Sequence, residues 1–312
     1  MKFLQAPSSI LMIRPSSFGF NPQTAFTNAF QAEQTDPPHE VSKKALAEFN
    51  RMVDSLIAHD IEVIVAEDTV DPVKPDAVFP NNWISFHEDG TVILYPMLAE
   101  NRRLERTIPV LDILKQKFKI ERVVDLSTYE NVNQFLEGTG SVVFDYENKI
   151  AYANRSARTH ELVLNELCKK LDFRPVLFDA VDEAGQPIYH TNVLMCVGSK
   201  FVVVCLDAIK KDEDQEILLR SFSDTHHQVI AISYEQVRLF AGNMIEVVTK
   251  SNEPVVLISE KAFLSLLPGQ LNAITKYAEL IPLSIHTIEQ YGGGSVRCMV
   301  AGIFNRKLAH SR

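Results

Sequence analysis

A cysteine, a histidine and a carboxylate, each at the end of a loop, are the side chains of this sequence that could do chemistry together. Cys298 lies in "YGGGSVRCMVAGIF" (291–304), His190 in "IYHTNVLM" (188–195) and Glu137 in "FLEGTGS" (135–141). Two further loops offer Asp76, Asn81 and Asn82 in "PDAVFPNNW" (75–83), and Asn243 in "AGNMIEV" (241–247). A free thiol ionises near pH ~8.5, so only a few per cent is thiolate at neutral pH, and a neighbouring positive charge raises that fraction. Arg297 is adjacent but should point to the opposite strand face, which leaves His190 or the substrate to polarise the sulfur. A histidine can protonate a departing amine and then accept a proton from water. A carboxylate can hold a planar N–H-bearing group by charge-assisted hydrogen bonds. With no metal-ligand spacing around it, this trio suits displacement at a carbon bonded to nitrogen.

Taken singly, each residue also has an ordinary structural reading. Free cysteine usually packs like a small hydrophobe, and a glutamate or asparagine beside glycine suits a turn. Only convergence of the three would make them a site, so the elements that carry them decide the matter. Five amphipathic helical patterns run along the chain: "VSKKALAEFNRMVDSLIAHD", "NRRLERTIPVLDILKQKF" (with Leu104, Ile108, Leu111 and Leu114 as its stripe), "RTHELVLNELCKKL", "EDQEILLRSF" and a last one broken at Pro268. Each hands over to a β-rich run: "IEVIVAE", "IERVVDLS", "FRPVLFDA", "HQVIAIS" and "LIPLSI". A loop and then a predicted β-hairpin follow each of the first four. In the fifth unit the early strand "ILMIRP" is expected to pair instead and close a ring.

If Asn82, Gly140, Asn192, Asn243 and Ser295 are equivalent, the spacings are 58, 52, 51 and 52 residues. A steady period of this length marks a repeat architecture, in which one unit cannot bury its own apolar face but several can share a core. Equivalent loops would then meet at one end of a central axis. No linker composition divides the chain, so a single domain over 1–312 is expected. The irregular stretch 20–40 reads as a surface loop or lid.

Composition sets the outer bounds. A net charge of −9 without a dense Lys/Arg cluster argues against nucleic acid, and no apolar run is long enough for a membrane span. "MKFLQAPSSILMIRP" is too short and interrupted for a signal peptide, and the four cysteines lack zinc-site spacing. A cytoplasmic protein without metal or cofactor is expected. Cys196 and Cys205, flanking a "GSK" turn, read as cross-strand core thiols.

These residues resemble the guanidino-group-modifying superfamily, which includes arginine deiminases, dimethylarginine hydrolases and amidinotransferases. "GGGSVRCM" looks like the nucleophile motif of the deiminases; "PDAVFPNN", "ENRRLE" and "ANRSARTHE" are similar to segments of the dimethylarginine hydrolases. "FGFNP" and "FPNNW" resemble a bacterial branch of deiminase-related, citrulline-utilising hydrolases. The resemblance implies an α/β fold, a five-bladed pseudosymmetric propeller. It implies Cys298 as nucleophile, His190 as acid/base and Glu137 as the ligand of the substrate's terminal nitrogens. Asp76 would bind an amine or guanidino end, and Arg103 (or its neighbour Arg102) with Arg155 the amino-acid carboxylate. Asn82, Asn192 and Asn243 complete the expected substrate-binding set. Asn82 and Asn192 stand where the family pattern has acidic residues, which favours an uncharged ureido group such as citrulline's over a cationic guanidine. Transfer of the group to an amine, and a non-catalytic propeller module, are the competing readings. The implied partner is a small amino acid; whether the chain forms a homo-oligomer stays open.

Overall fold

Five times along the chain, a three-stranded sheet forms from an antiparallel pair and one parallel strand. The computed structural model describes residues 5–107 and 109–308. In chain order the strands are β1 (Ser9–Arg14), β2 (Glu62–Glu67), β3 (Ile84–Phe86), β4 (Thr91–Leu94), β5 (Arg122–Asp125), β6 (Val142–Asp145), β7 (Ile150–Asn154), β8 (Arg174–Phe178), β9 (Met195–Val197), β10 (Phe201–Val204), β11 (Gln228–Ala231), β12 (Ile245–Val248), β13 (Pro254–Ser259), β14 (Glu279–Leu283) and β15 (Ala301–Ile303). The sheets are β3-β4-β5, β6-β7-β8, β9-β10-β11, β12-β13-β14 and β15-β1-β2. In every one the middle strand runs antiparallel to its hairpin partner and parallel to the third strand.

The expected fifth pairing is present, with Ser9 opposite Ile303 and Leu11 opposite Ala301. Middle strands are apolar at successive positions, as in Ile10–Ile13 and Val202–Val204, because both of their faces are covered. Neighbouring sheets touch through their first strands, β15 against β3, β6 against β9 and β9 against β12.

Helices supply the outer cover. The helix Pro38–Ala58 buries Val41, Ala45, Phe49, Met52, Val53 and Leu56, a stripe at three- and four-residue spacing. The second unit departs from the sequence pattern. Its continuous helix is divided into Glu100–Arg103, a 3-10 turn Leu104–Thr107 and Val110–Leu114. Pro109 lacks an N–H and disfavours helical backbone before it, and Leu104 is left exposed; Ile108 lies outside the described residues. Cys196 pairs with Val203 across its ladder, not with Cys205, and all four cysteines are free. Among the described residues no His/Cys/Asp/Glu group could hold a metal, and no helix is long and apolar enough to cross a membrane.

Candidate active site

Single helical turns aim the site residues inward, at the point where each loop enters its hairpin. Glu137 immediately precedes the turn Gly138–Ser141, and His190 precedes Thr191–Leu194. Asn82 ends the turn Pro80–Asn82, and Cys298 sits within Val296–Met299. Gly138 has φ +48°, and a Cβ there would lie 2.2 Å from the Asn81 carbonyl oxygen, so the glutamate turn rests directly on the asparagine turn. Gly292 and Gly294 leave room for the Phe79 ring, which a Cβ would approach to 2.8 and 3.0 Å.

One narrow cleft is lined by Cys298, His190, Asp76, Asn82, Arg102 and Arg158, with Tyr189, Phe79, Thr24 and Asn28 completing its walls. Glu137 closes it from behind. The His190 Nε2 donates to Glu137 Oε2 at 2.8 Å, the same oxygen accepts from Arg158 Nη1 at 3.3 Å, and Oε1 accepts from the Leu98 backbone N–H at 3.1 Å. Burial opposes charge on Glu137, yet Arg158, the His190 hydrogen bond and Arg102 together hold its carboxyl well below the usual range. Burial dominates at His190 and takes it down to about 4 against the pull of Glu137. The imidazole is therefore neutral at pH 7, with Nε2–H fixed by the carboxylate and the lone pair on Nδ1.

Asp76 is 2 % exposed. Its Oδ2 accepts from Asn21 at 2.7 Å and faces Arg102 Nε at 3.7 Å, while Oδ1 has no partner. Burial raises its carboxyl above the ordinary value despite Arg102. Arg102 is held by Glu105 through two hydrogen bonds of 2.8 and 2.9 Å, and it donates to Asn82 Oδ1 at 2.8 Å. The Asn82 amide nitrogen is left unpaired. Buried polar groups are rarely left without partners, so an unpaired acceptor and donor on the cleft wall mark where a polar ligand fits.

Several expected residues sit elsewhere. Arg103 turns away to the Met97 and Leu98 carbonyls and Glu130, and Arg155 is surface-exposed beside Asp179 and Glu161. Their places at the cleft are taken by Arg102, the alternative, and by Arg158, which the sequence reading missed. Asn192 and Asn243 do not face the cleft in front of the sulfur. They lie behind it: Asn243 Nδ2 donates to Cys298 Sγ at 3.4 Å and Asn192 Nδ2 at 3.6 Å. The stretch 20–36 covers the cleft, through Asn21 and Thr24 on Asp76, Thr24 and Thr27 on Arg158, and Asn28 at the Gly292 and Gly293 carbonyls.

The family model described as "N,N dimethylarginine dimethylhydrolase, eukaryotic" matches residues 14–305. No curated protein matches the chain in sequence. Among solved structures, the N-terminal domain of ArgZ, an arginine dihydrolase of the cyanobacterial ornithine-ammonia cycle, was determined as a mutant bound to substrate. It is 16% identical with a TM-score of 0.72, over 94% of this chain and 96% of that one. Unliganded AgrE gives 16% and 0.73 over 96% of this chain, which spans 39% of AgrE. A dimethylarginine hydrolase from Pseudomonas aeruginosa, crystallised with citrulline, gives 15% and 0.66 over 95% and 99%.

Proposed function

The chain belongs to the N,N-dimethylarginine dimethylhydrolase family, enzymes acting on non-peptide C–N bonds, and we propose that it hydrolyses the guanidino group of an arginine-like amino acid. The five sheets are then blades of one propeller, a single domain whose loops meet at the cleft. The carrying observation is the buried line of Glu137, neutral His190 and the cleft that also holds Cys298.

In this reading His190 takes the thiol proton as Cys298 Sγ bonds to the central guanidino carbon. It passes that proton to the departing nitrogen, whose C–N bond breaks to leave an S-linked intermediate. His190 then draws a proton from water, whose oxygen bonds to the carbon; as the C–S bond breaks, His190 returns that proton to the sulfur, restoring the thiol and the neutral imidazole. The two amide N–H groups behind the sulfur stabilise it when it carries negative charge. The substrate's carboxylate takes the one N–H that Arg102 and Arg158 each leave open on Nη1, and the unpaired Asp76 Oδ1 takes an N–H of the substrate.

Charge balance bears on whether the group is cationic or neutral. Arg102 lies between Glu105 and Asp76, and Arg158 pairs with Glu137, so three carboxyl groups face two guanidinium groups; burial, against the pull of Arg102, raises Glu105 to about 8 and raises Asp76 as well. A guanidinium entering beside Asp76 would favour the charged form of these carboxyl groups, which supports a cationic group. The expectation of a ureido group rests on Asn82 and Asn192, but Asn82 spends its carbonyl on Arg102 and Asn192 lies behind the sulfur. Citrulline is the second reading, supported by the free Asn82 amide nitrogen, which can donate to a ureido oxygen.

Incubation with arginine, methylated arginines and citrulline, with ammonia, alkylamine and ornithine followed, tests the proposal. Turnover of a guanidino compound, absent in Cys298→Ser, is expected. No turnover of any of them, or full turnover by that variant, would overturn it; dependence on an added amine would make the enzyme a transferase.

A further inference from the structure

A second cavity, of about 50 Å³, shares no lining residue with the catalytic cleft and is walled in part by Asn192, whose amide reaches the sulfur. Its inner wall includes Thr139 and Asn192, and its outer wall Gln5, Tyr146 and Phe304. Into it runs the side chain of Arg297, the residue before the nucleophile.

Three observations converge there. The first is the state of the guanidinium. Arg102 and Arg158 each reach a carboxylate, whereas Arg297 donates one hydrogen bond of 2.7 Å to the Val300 carbonyl and has no carboxylate partner among the described residues. A guanidinium carries five N–H donors and stays charged, so most of its capacity is open to the cavity. Burial draws its ionisation below the ordinary value, with Tyr146, Cys298 and Cys196 opposing.

The second is a neighbouring donor. The Tyr146 ring packs on Phe304 with centroids 4.0 Å apart, and its hydroxyl has no hydrogen-bond partner among the described residues. The third concerns acceptors. The carboxylate in the wall, Glu246, is turned to the Ser199 backbone N–H at 2.7 Å and to the Ser199 hydroxyl. The Gln5 side chain is likewise spent, on the Phe144 and Val197 carbonyls and the Tyr146 N–H.

We propose that Arg297, with the Tyr146 hydroxyl, binds a small monovalent anion in this rear cavity. The volume admits a halide or a planar anion of bicarbonate size, about three or four water molecules' worth of space, and excludes an organic acid as large as gluconate. The site is distinct from the catalytic cleft and does not depend on the proposed reaction.

Crystals soaked in bromide test it directly by anomalous scattering, and melting temperature is followed in parallel in chloride, bicarbonate and gluconate at equal ionic strength. A bromide peak in hydrogen-bonding contact with the Arg297 guanidinium is expected. So is a saturable rise in Tm with chloride or bicarbonate but not gluconate, abolished in Arg297→Met and weakened in Tyr146→Phe. Whichever of the two anions saturates at lower concentration is the occupant. Absence of the peak in the wild-type protein overturns the proposal, even if Arg297→Met fails to fold. An undiminished thermal response in a folded Arg297→Met overturns it as well.

Discussion

At the scale of single residues, the site is a chain of charge compensation ending in a neutral imidazole. His190, taken down to about 4 by burial, binds no proton in the folded state until well below the pH at which the unfolded chain takes one up. Stability from this group is full above about pH 6.5, falls as the pH drops, and is fully lost below about pH 4. Glu137, held low, acts in the same direction further down. The loss from His190 is on the order of 3 kcal/mol over that window, because each tenfold weakening of proton affinity is worth about 1.4 kcal/mol. Denaturant melts at pH 7, 5.5 and 4 should show it, with a shallower slope in His190→Gln. Replacing Cys298 by serine should lower kcat at least about a thousandfold while leaving the melting temperature within a few degrees. Glu105→Gln should weaken the grip on Arg102, and thereby on Asn82, raising KM more than it lowers kcat; steady-state kinetics would separate the two.

Among the elements, the one-turn helices that precede the hairpins bear the geometry. Gly138→Ala forces a side chain at φ +48° into the Asn81 and Asn82 backbone, and about 2 kcal/mol of destabilisation is expected from strain and clash, read as a lower Tm. The covering stretch 20–36 is tied to Asp76, Arg158 and the triple glycine by side-chain hydrogen bonds; an amino-acid ligand in the cleft would add contacts to it. Hydrogen exchange of those amides should slow when substrate is added to Cys298→Ser, and no change would deny the segment a covering role. These elements also show what was legible in advance. Glu137, His190 and Cys298 could be picked out because a fifty-residue repeat places them at equivalent turns. The arginines could not. Arg102 and Arg103 are adjacent on a helical turn, about 100° apart, and only packing selects which faces inward. After β7, Arg155 pairs with the Phe178 carbonyl through its N–H, and the turn Ser156–Thr159 then reverses to aim Arg158 into the cleft. That reversal has no glycine or proline to announce it. The split helix of the second unit was signalled by Pro109, which the apolar spacing overrode.

For the whole molecule, the decisive contact joins distant parts of the chain. β1 is the middle strand of its sheet, paired with β2 on one side and β15 on the other. Truncation after Val300 removes β15, exposes the edge of β1 and frees the turn that holds Cys298. Such a variant should lose its cooperative melt or its thiol reactivity towards a substrate-like alkylating agent, whereas insertion at Gly185, an open turn, should leave both intact.

The pairing of Ser9–Arg14 with Ala301–Ile303 has a consequence for how activity arises in time. On the ribosome, the four modules that carry Asp76, Glu137, His190 and Asn243 emerge before the sulfur-bearing turn has been made, and can begin to share a core. Because the closing ladder spans almost the entire polypeptide, it should be among the slowest contacts to form. A nascent chain should therefore carry a cleft that still lacks its sulfur, completed in one late step when the two ends meet.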